Sequence, residues 1–167
     1  MKKILFLSVC FLFCFTKFTA QKIDNEYKIL RDLAIVNSAN DLFDFYKKEL
    51  SKNTQTENWK LYIEQLSTKI NNLYLLDENN RSFKIDDTSK IQFNEINIYD
   101  KKNISLLKRG INVWKVIEVL SGNRITINII EFKISYKNKN YQFTNGDGLV
   151  KVYEYSCENK KWEIKDK

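Results

Sequence analysis

Hydrophobic residues recur along this chain at two spacings, and the change from one to the other falls near residue 80. From 23 to 50 the apolar side chains are Ile23, Tyr27, Leu30, Leu33, Ala34, Leu42, Phe43, Tyr46 and Leu50. Most steps are three or four residues, the repeat of an amphipathic helix. In the middle, Asn37-Ser38-Ala39-Asn40-Asp41 interrupts the stripe, and Ser38 followed by Asp41 resembles a capping box. The pattern predicts one bent helix over 24–50 or two short ones. A second helix is expected from Thr54 and Glu57, a capping pair, through Trp59, Ile63, Leu66, Ile70 and Leu73. Lys60, Glu64, Lys69 and Asn71 fall on its outward face, and Asp77-Glu78-Asn79-Asn80 ends it. Packing on the protein's own sheet explains the stripe, although a helix that docks in a partner's groove shows one too.

Beyond Arg81 the period drops to two. Segment 81–85 reads as a short strand and 90–99 as another. Within the latter the apolar sites slip phase from Ile91 and Phe93 to Ile96 and Ile98, as a β-bulge would make them do. Segment 104–107 fits a helical turn or a strand lead-in. The last third reads as a meander: a strand over 113–120, a turn at Ser121-Gly122-Asn123, a long strand over 124–136 and a turn over 137–140. A return strand over 141–155 follows, interrupted at Asn145-Gly146-Asp147-Gly148, and Trp162-Glu163-Ile164 closes the series after a turn. On the long strand Ile125, Ile127 and Ile129 share one face; Thr126, Asn128, Ile130, Phe132, Ile134 and Tyr136 share the other. Apolar cover that changes along a strand suits a strongly curved sheet. The expected fold class is α+β, with N-terminal helices packed on a curved antiparallel β-sheet. A partly closed β-barrel with a helical cap is the competing shape.

The first twenty residues are set apart from this plan. Met1-Lys2-Lys3 is followed by thirteen uncharged residues over 4–16, then Lys17, Phe18, Thr19, Ala20 and Gln21. A basic start, an apolar stretch and a small residue before a polar one make a secretory signal peptide, with cleavage expected after Ala20. Thirteen helical residues reach about 20 Å, short of the roughly 30 Å hydrocarbon core. Val9 and Phe13 precede Cys10 and Cys14, where a lipoprotein carries a small residue. The expectation is export to the periplasm or the cell exterior, with residues 21–167 as a single domain and contact with the membrane only through the signal peptide.

Charge and chemistry narrow the function classes. The whole chain of 167 residues carries a formal +7. Without Lys2, Lys3 and Lys17 the remaining 147 residues hold 25 basic against 21 acidic side chains, an ordinary soluble balance with no nucleic-acid signal. Nineteen asparagines are scattered without forming a tract. With no histidine anywhere, imidazole catalysis and His-based metal sites are excluded. Asp86-Asp87 and Asp147 lack calcium-loop spacing, and Gly146-Asp147-Gly148 has no following helix to cradle a phosphate. No metal and no cofactor are expected. Cys157, the one cysteine beyond residue 20, is expected to be buried and inert.

Two candidate sites remain. Glu118 and Glu131 each interrupt an otherwise apolar strand; a carboxylate aimed into a cavity has a raised pKa and can act as a base. Tyr136, Tyr153, Tyr155 and Trp162 lie on the last three strands and suit stacking on a sugar or aromatic ligand, or else packing against the helices.

Two helices followed by a curved meander ending in Trp162-Glu163-Ile164 resemble the cone-shaped, cystatin-like α+β fold of the nuclear-transport-factor-two-like superfamily, over roughly residues 24–165. The resemblance implies a shape shared by isomerases, dehydratases and many non-catalytic binding domains, and it transfers no catalytic residue to this chain. The expected function is therefore a small exported binding or interaction module without catalysis, for a small molecule, a glycan or a protein. The alternative is a small carboxylate-dependent enzyme of isomerase or hydrolase type, working in a cavity between sheet and helices.

Overall fold

A computed structural model describes residues 2–52, 56–85 and 89–165, with side chains of the first helix described from Asn25 onward. The signal-peptide side chains, Thr54 and Asp86-Asp87 therefore lie outside the described residues.

Helix α1 spans Lys2–Leu50 without a break, so the stretch from Asn37 to Asp41 neither bends it into two nor caps a new start. The reason is burial. Ala34, Ile35, Val36, Ser38 and Ala39 are all enclosed, and packing overrides the weak helix propensity of Asn and Ser. The small side chains at Ala34, Ser38 and Ala39 let neighbouring elements approach closely. Helix α2, Glu57–Asn71, starts from Thr56, whose hydroxyl accepts a hydrogen bond from the Trp59 backbone N–H at 3.3 Å. It buries Ile63, Leu66 and Ile70.

The helix ends earlier than its stripe suggests. Asn72 leaves helical geometry, and Leu73–Leu76 forms strand β1 instead of a last helical turn. This strand pairs in parallel with β2, Leu73 standing beside Asn112 and Leu76 beside Lys115. All four residues are buried, Leu73 and Leu75 on one face of the sheet, Tyr74 and Leu76 on the other. Burial on both faces is typical of a parallel strand and produces an unbroken apolar run.

Segments expected as strands at 81–85 and 90–99 are extended straps rather than ladder members. Each touches the sheet through a single bridge, Ser82 to Leu76 and Asn94 to Tyr74. Their alternation is real, since Ile91, Ile96 and Ile98 are buried, but no partner strand runs alongside and no bulge forms there. A 3₁₀ turn at Lys101–Asn103 leads into helix α3, Ile104–Arg109, which resolves the ambiguity at 104–107 in favour of a helix. Gly110 follows at φ +84°, and the chain enters β2.

Strands β2 (Ile111–Ser121), β3 (Arg124–Lys137), β4 (Asn140–Ser156) and β5 (Lys161–Ile164) form an antiparallel meander. With β1 at one edge, the sheet runs β1-β2-β3-β4-β5 and is curled. Gly122 at φ +62° makes the first turn, and Asn138 and Lys139 at φ +51° and +64° make the second. The expected interruption of the return strand is a bulge. Ile130 pairs with Gly148 and Phe132 with Asn145, leaving Gly146 and Asp147 opposite Glu131 alone.

Two cores result. On the inner face Trp114, Val116, Ile125, Ile127, Ile129 and Tyr153 meet Leu30, Ala34 and Ile35 of α1 and Leu66 and Ile70 of α2. On the outer face, at one end only, Leu107 of α3 packs with Ile96, Ile98, Ile111, Val113 and Ile134. Each fully buried side chain of this size contributes about 1.5–3 kcal/mol. Cys157, expected inside, is exposed in the turn between β4 and β5.

Candidate functional site

The four aromatic candidates are divided by the sheet. Tyr153 and Tyr155 share the inner face with Trp162, which pairs across the strands with Tyr155 at a ring separation of 5.5 Å. Tyr27 of α1 meets Trp162 edge-on at 5.9 Å. These three are helix-to-sheet packing. Tyr153 is only 3% exposed, its hydroxyl has no hydrogen-bond partner among the described residues, and burial pushes its pKa up. Tyr136 goes elsewhere, to the outer face at the far end of β3.

Neither acid stands free in a ligand-sized cavity. Glu118 sits at the rim of the inner face, with Arg31 Nη1 3.5 Å from its carboxylate. Partial desolvation raises its pKa, against the lowering influence of Arg31. Glu131 is clamped. Lys69 of α2, expected to point outward, instead reaches its two oxygens at 2.5 and 2.6 Å, and Trp114 Nε1 donates to it at 3.3 Å. Gly146 in the bulge leaves room for this arrangement, since a Cβ there would stand 3.3 Å from that of Glu131. The recess beside the clamp measures about 120 Å³, well under the roughly 300–1,000 Å³ of ordinary ligand pockets. Among the described residues the most deeply buried acid is Asp32, 4% exposed and held by Arg31 at 2.8 Å and Lys28 at 3.0 Å.

A roomier site lies where sequence reasoning named only one neighbour. A cleft of about 550 Å³ opens between the turn after β1 and the strap that leads to α3. Asn79, Asn80, Arg81, Asn97, Tyr99 and Asn103 line it, together with Glu95 and Lys102, whose charges are matched by Lys84 at 2.8 Å and Asp100 at 3.1 Å. The turn is built by Asp77, whose carboxylate accepts the backbone N–H groups of Asn79 and Arg81 at 2.8 Å each. Asn80 adopts φ +61°, a conformation asparagine tolerates, and thereby faces the strap. Its amide donates to the Tyr99 hydroxyl at 3.1 Å and its carbonyl accepts from Lys115 Nζ at 3.0 Å. On the opposite wall the Asn97 side chain accepts the Tyr99 N–H at 3.1 Å, and Asn103 donates to the Asn97 carbonyl at 2.8 Å.

These bonds fix both walls and leave donors and acceptors over. The side chains of Asn79 and Arg81, the Asn97 amide N–H₂ and the Asn103 amide oxygen have no partner among the described residues. Tyr99 is 53% exposed and heads an edge-to-face ladder of rings, 5.3 Å to Tyr141 and 5.1 Å from Tyr141 to Tyr136. Tyr136 thus supports the aromatic wall of the cleft from behind. The sequence signal for the site was the pair of asparagine-rich turns at 79–80 and 97–103, which meet only because β1 joins the sheet. No protein-family model, curated protein or solved structure matches the chain.

Proposed function

We propose that this protein is a small exported, non-catalytic binding module whose ligand occupies the asparagine-lined cleft beside Tyr99. The observation that carries this reading is the composition of that cleft. Amide groups and Arg81 offer paired donors and acceptors, and a half-exposed phenol ring offers a flat apolar face. That combination suits a neutral, hydroxyl-rich ligand such as a saccharide, whose C–H face stacks on an aromatic ring while its hydroxyls meet amides. A catalytic reading draws less support, because Glu131 is held by Lys69 and Glu118 lies at an open rim beside Arg31.

Export is part of the proposal and rests on the order of basic, apolar and small residues over 1–20. The likeness to nuclear-transport-factor-two-like domains also belongs here, supported by a long helix lying on the inner face of a curled sheet. The test is calorimetric titration of the purified protein with neutral di- and trisaccharides. Binding that is lost in Tyr99→Ala and weakened in Asn97→Ala supports the reading. No heat with any saccharide, or heat unchanged in both variants, overturns it.

A further inference from the structure

Strand β4 is much longer than the strand that covers its outer edge. It runs from Asn140 to Ser156, but β5 pairs only with Tyr153 to Ser156. Residues 142–150 are all exposed, among them Leu149 and Val150 at 44% and 59%. An edge of this kind presents unpaired N–H and C=O groups and is a template for another strand.

Backbone hydrogen bonds show which groups are free. Tyr155 N–H donates to the Asn123 carbonyl on the β3 side, and Lys165 N–H donates to the Val152 carbonyl on the other side. Peptide groups alternate sides along a strand, so the N–H and C=O groups of Gly148 and Val150 point to the open edge. The usable window is short. The bulge at Gly146 and Asp147 closes it on one side, and the Lys165 bond to the Val152 carbonyl closes it on the other. Its centre is Leu149.

We propose that a second copy of this chain pairs with this window, β4 to β4 and antiparallel, about a two-fold axis through Leu149. In that register Gly148 of each copy exchanges both backbone bonds with Val150 of the other, and both residues have outward-facing groups. Leu149 faces its own counterpart. Asp147 stands directly opposite Lys151, twice by symmetry, in non-hydrogen-bonded pairs where side chains approach most closely. Neither Asp147 nor Lys151 makes an ion pair among the described residues. Shifting the axis one residue either way keeps no such charge match, because Lys151 then faces Leu149 or Asn145. Charge and backbone direction select the same register, and the two sheets join into one of ten strands.

Sedimentation velocity of the purified protein tests the interface, with circular dichroism to confirm each variant's fold. The wild type is expected to sediment as a dimer. Lys151→Asp places like charges opposite each other at both ends and weakens association about tenfold or more. Adding Asp147→Lys restores it. Independently, Leu149→Cys in a Cys157→Ser background is expected to form a disulfide-linked dimer under mild oxidant, since facing strand residues of this kind meet disulfide geometry. A wild type that stays monomeric overturns the proposal. So does a dimer that is indifferent to Lys151→Asp and gives no cross-linked product with Leu149→Cys.

Discussion

Lys69 on α2 and Glu131 on β3 lie 62 positions apart in the chain, yet the ammonium sits 2.5 Å from the carboxylate. Both side chains are about three-quarters buried, and Trp114 supplies a further donor to the acid. The pair fastens the end of α2 to the bulged part of the sheet. Removing the cation strands a carboxylate that has lost most of its water. Lys69→Met is expected to destabilise the fold by about 1–3 kcal/mol, and Glu131→Gln by less, because the amide oxygen still accepts from Lys69 and the long lysine stem can carry its charge out to water. Urea unfolding followed by tryptophan fluorescence measures both.

Tyr153 makes a second prediction, with a definite sign. Its pKa is raised in the folded state by burial. Below the unfolded value of about 10 both states hold the proton, and pH has no effect through this group. Above it the unfolded chain ionises first, so stability falls as pH rises from about 10 toward the folded value. Tyr153→Phe is expected to remove this part of the alkaline loss. It also deletes a buried hydroxyl without a partner, so stability at neutral pH is expected to hold or to rise by up to about 1 kcal/mol. Thermal melts between pH 7 and 11 check both points.

Glu118 is raised for the same first cause, desolvation, with Arg31 opposing. Below the unfolded carboxyl value both states are protonated; as pH climbs through the raised folded value, stability is lost. Glu118→Gln is therefore expected to stabilise slightly at pH 7, by less than about 0.5 kcal/mol given its exposure at the rim. The difference is expected to vanish at about pH 3, below the ordinary carboxyl value, where folded and unfolded wild type both hold the proton. Paired denaturant titrations at the two pH values give the answer.

Gly110 joins α3 to β2 at φ +84°, and an added Cβ would come within 2.9 Å of the Lys133 side chain. Lys133 is flexible and can move; the backbone angle cannot. Gly110→Ala is expected to cost about 1 kcal/mol or more, read as a lowered denaturation midpoint at unchanged slope.

The meander was legible because its strands alternate cleanly and its turns carry Gly122 and Asn138, whose backbone freedom the turns use. The region from 70 to 99 was not, for physical reasons that concern individual residues. Leu73 continues the helical stripe from Ile70, so periodicity alone extends α2 through it. Only the uninterrupted run Leu73-Tyr74-Leu75-Leu76 hints at a strand buried on both faces. The straps at 82 and 94 alternate like strands because they too bury every second side chain, and alternation reports burial rather than pairing. Lys69 was placed outward because a lysine stem can lie along apolar surface and deliver its charge inward only if an acid waits there. The cleft was hidden since its walls, near Asn80 and Asn97, come together through β1. Cys157 shows the limit of residue statistics, as a free cysteine in a tight turn has nothing to bury it.

Tyr27, near the beginning of the described core, packs on Trp162, near its end. The first helix, seated mainly on α2, β2 and β3, thus completes its contacts on the last strand. As the chain lengthens, α2 is the first element able to cover part of the apolar face of α1, and the hairpins from Ile111 onward assemble from neighbours in sequence. A chain cut short before Trp162 consequently leaves the Tyr27 end of that helix bare, a greasy patch for proteases to find.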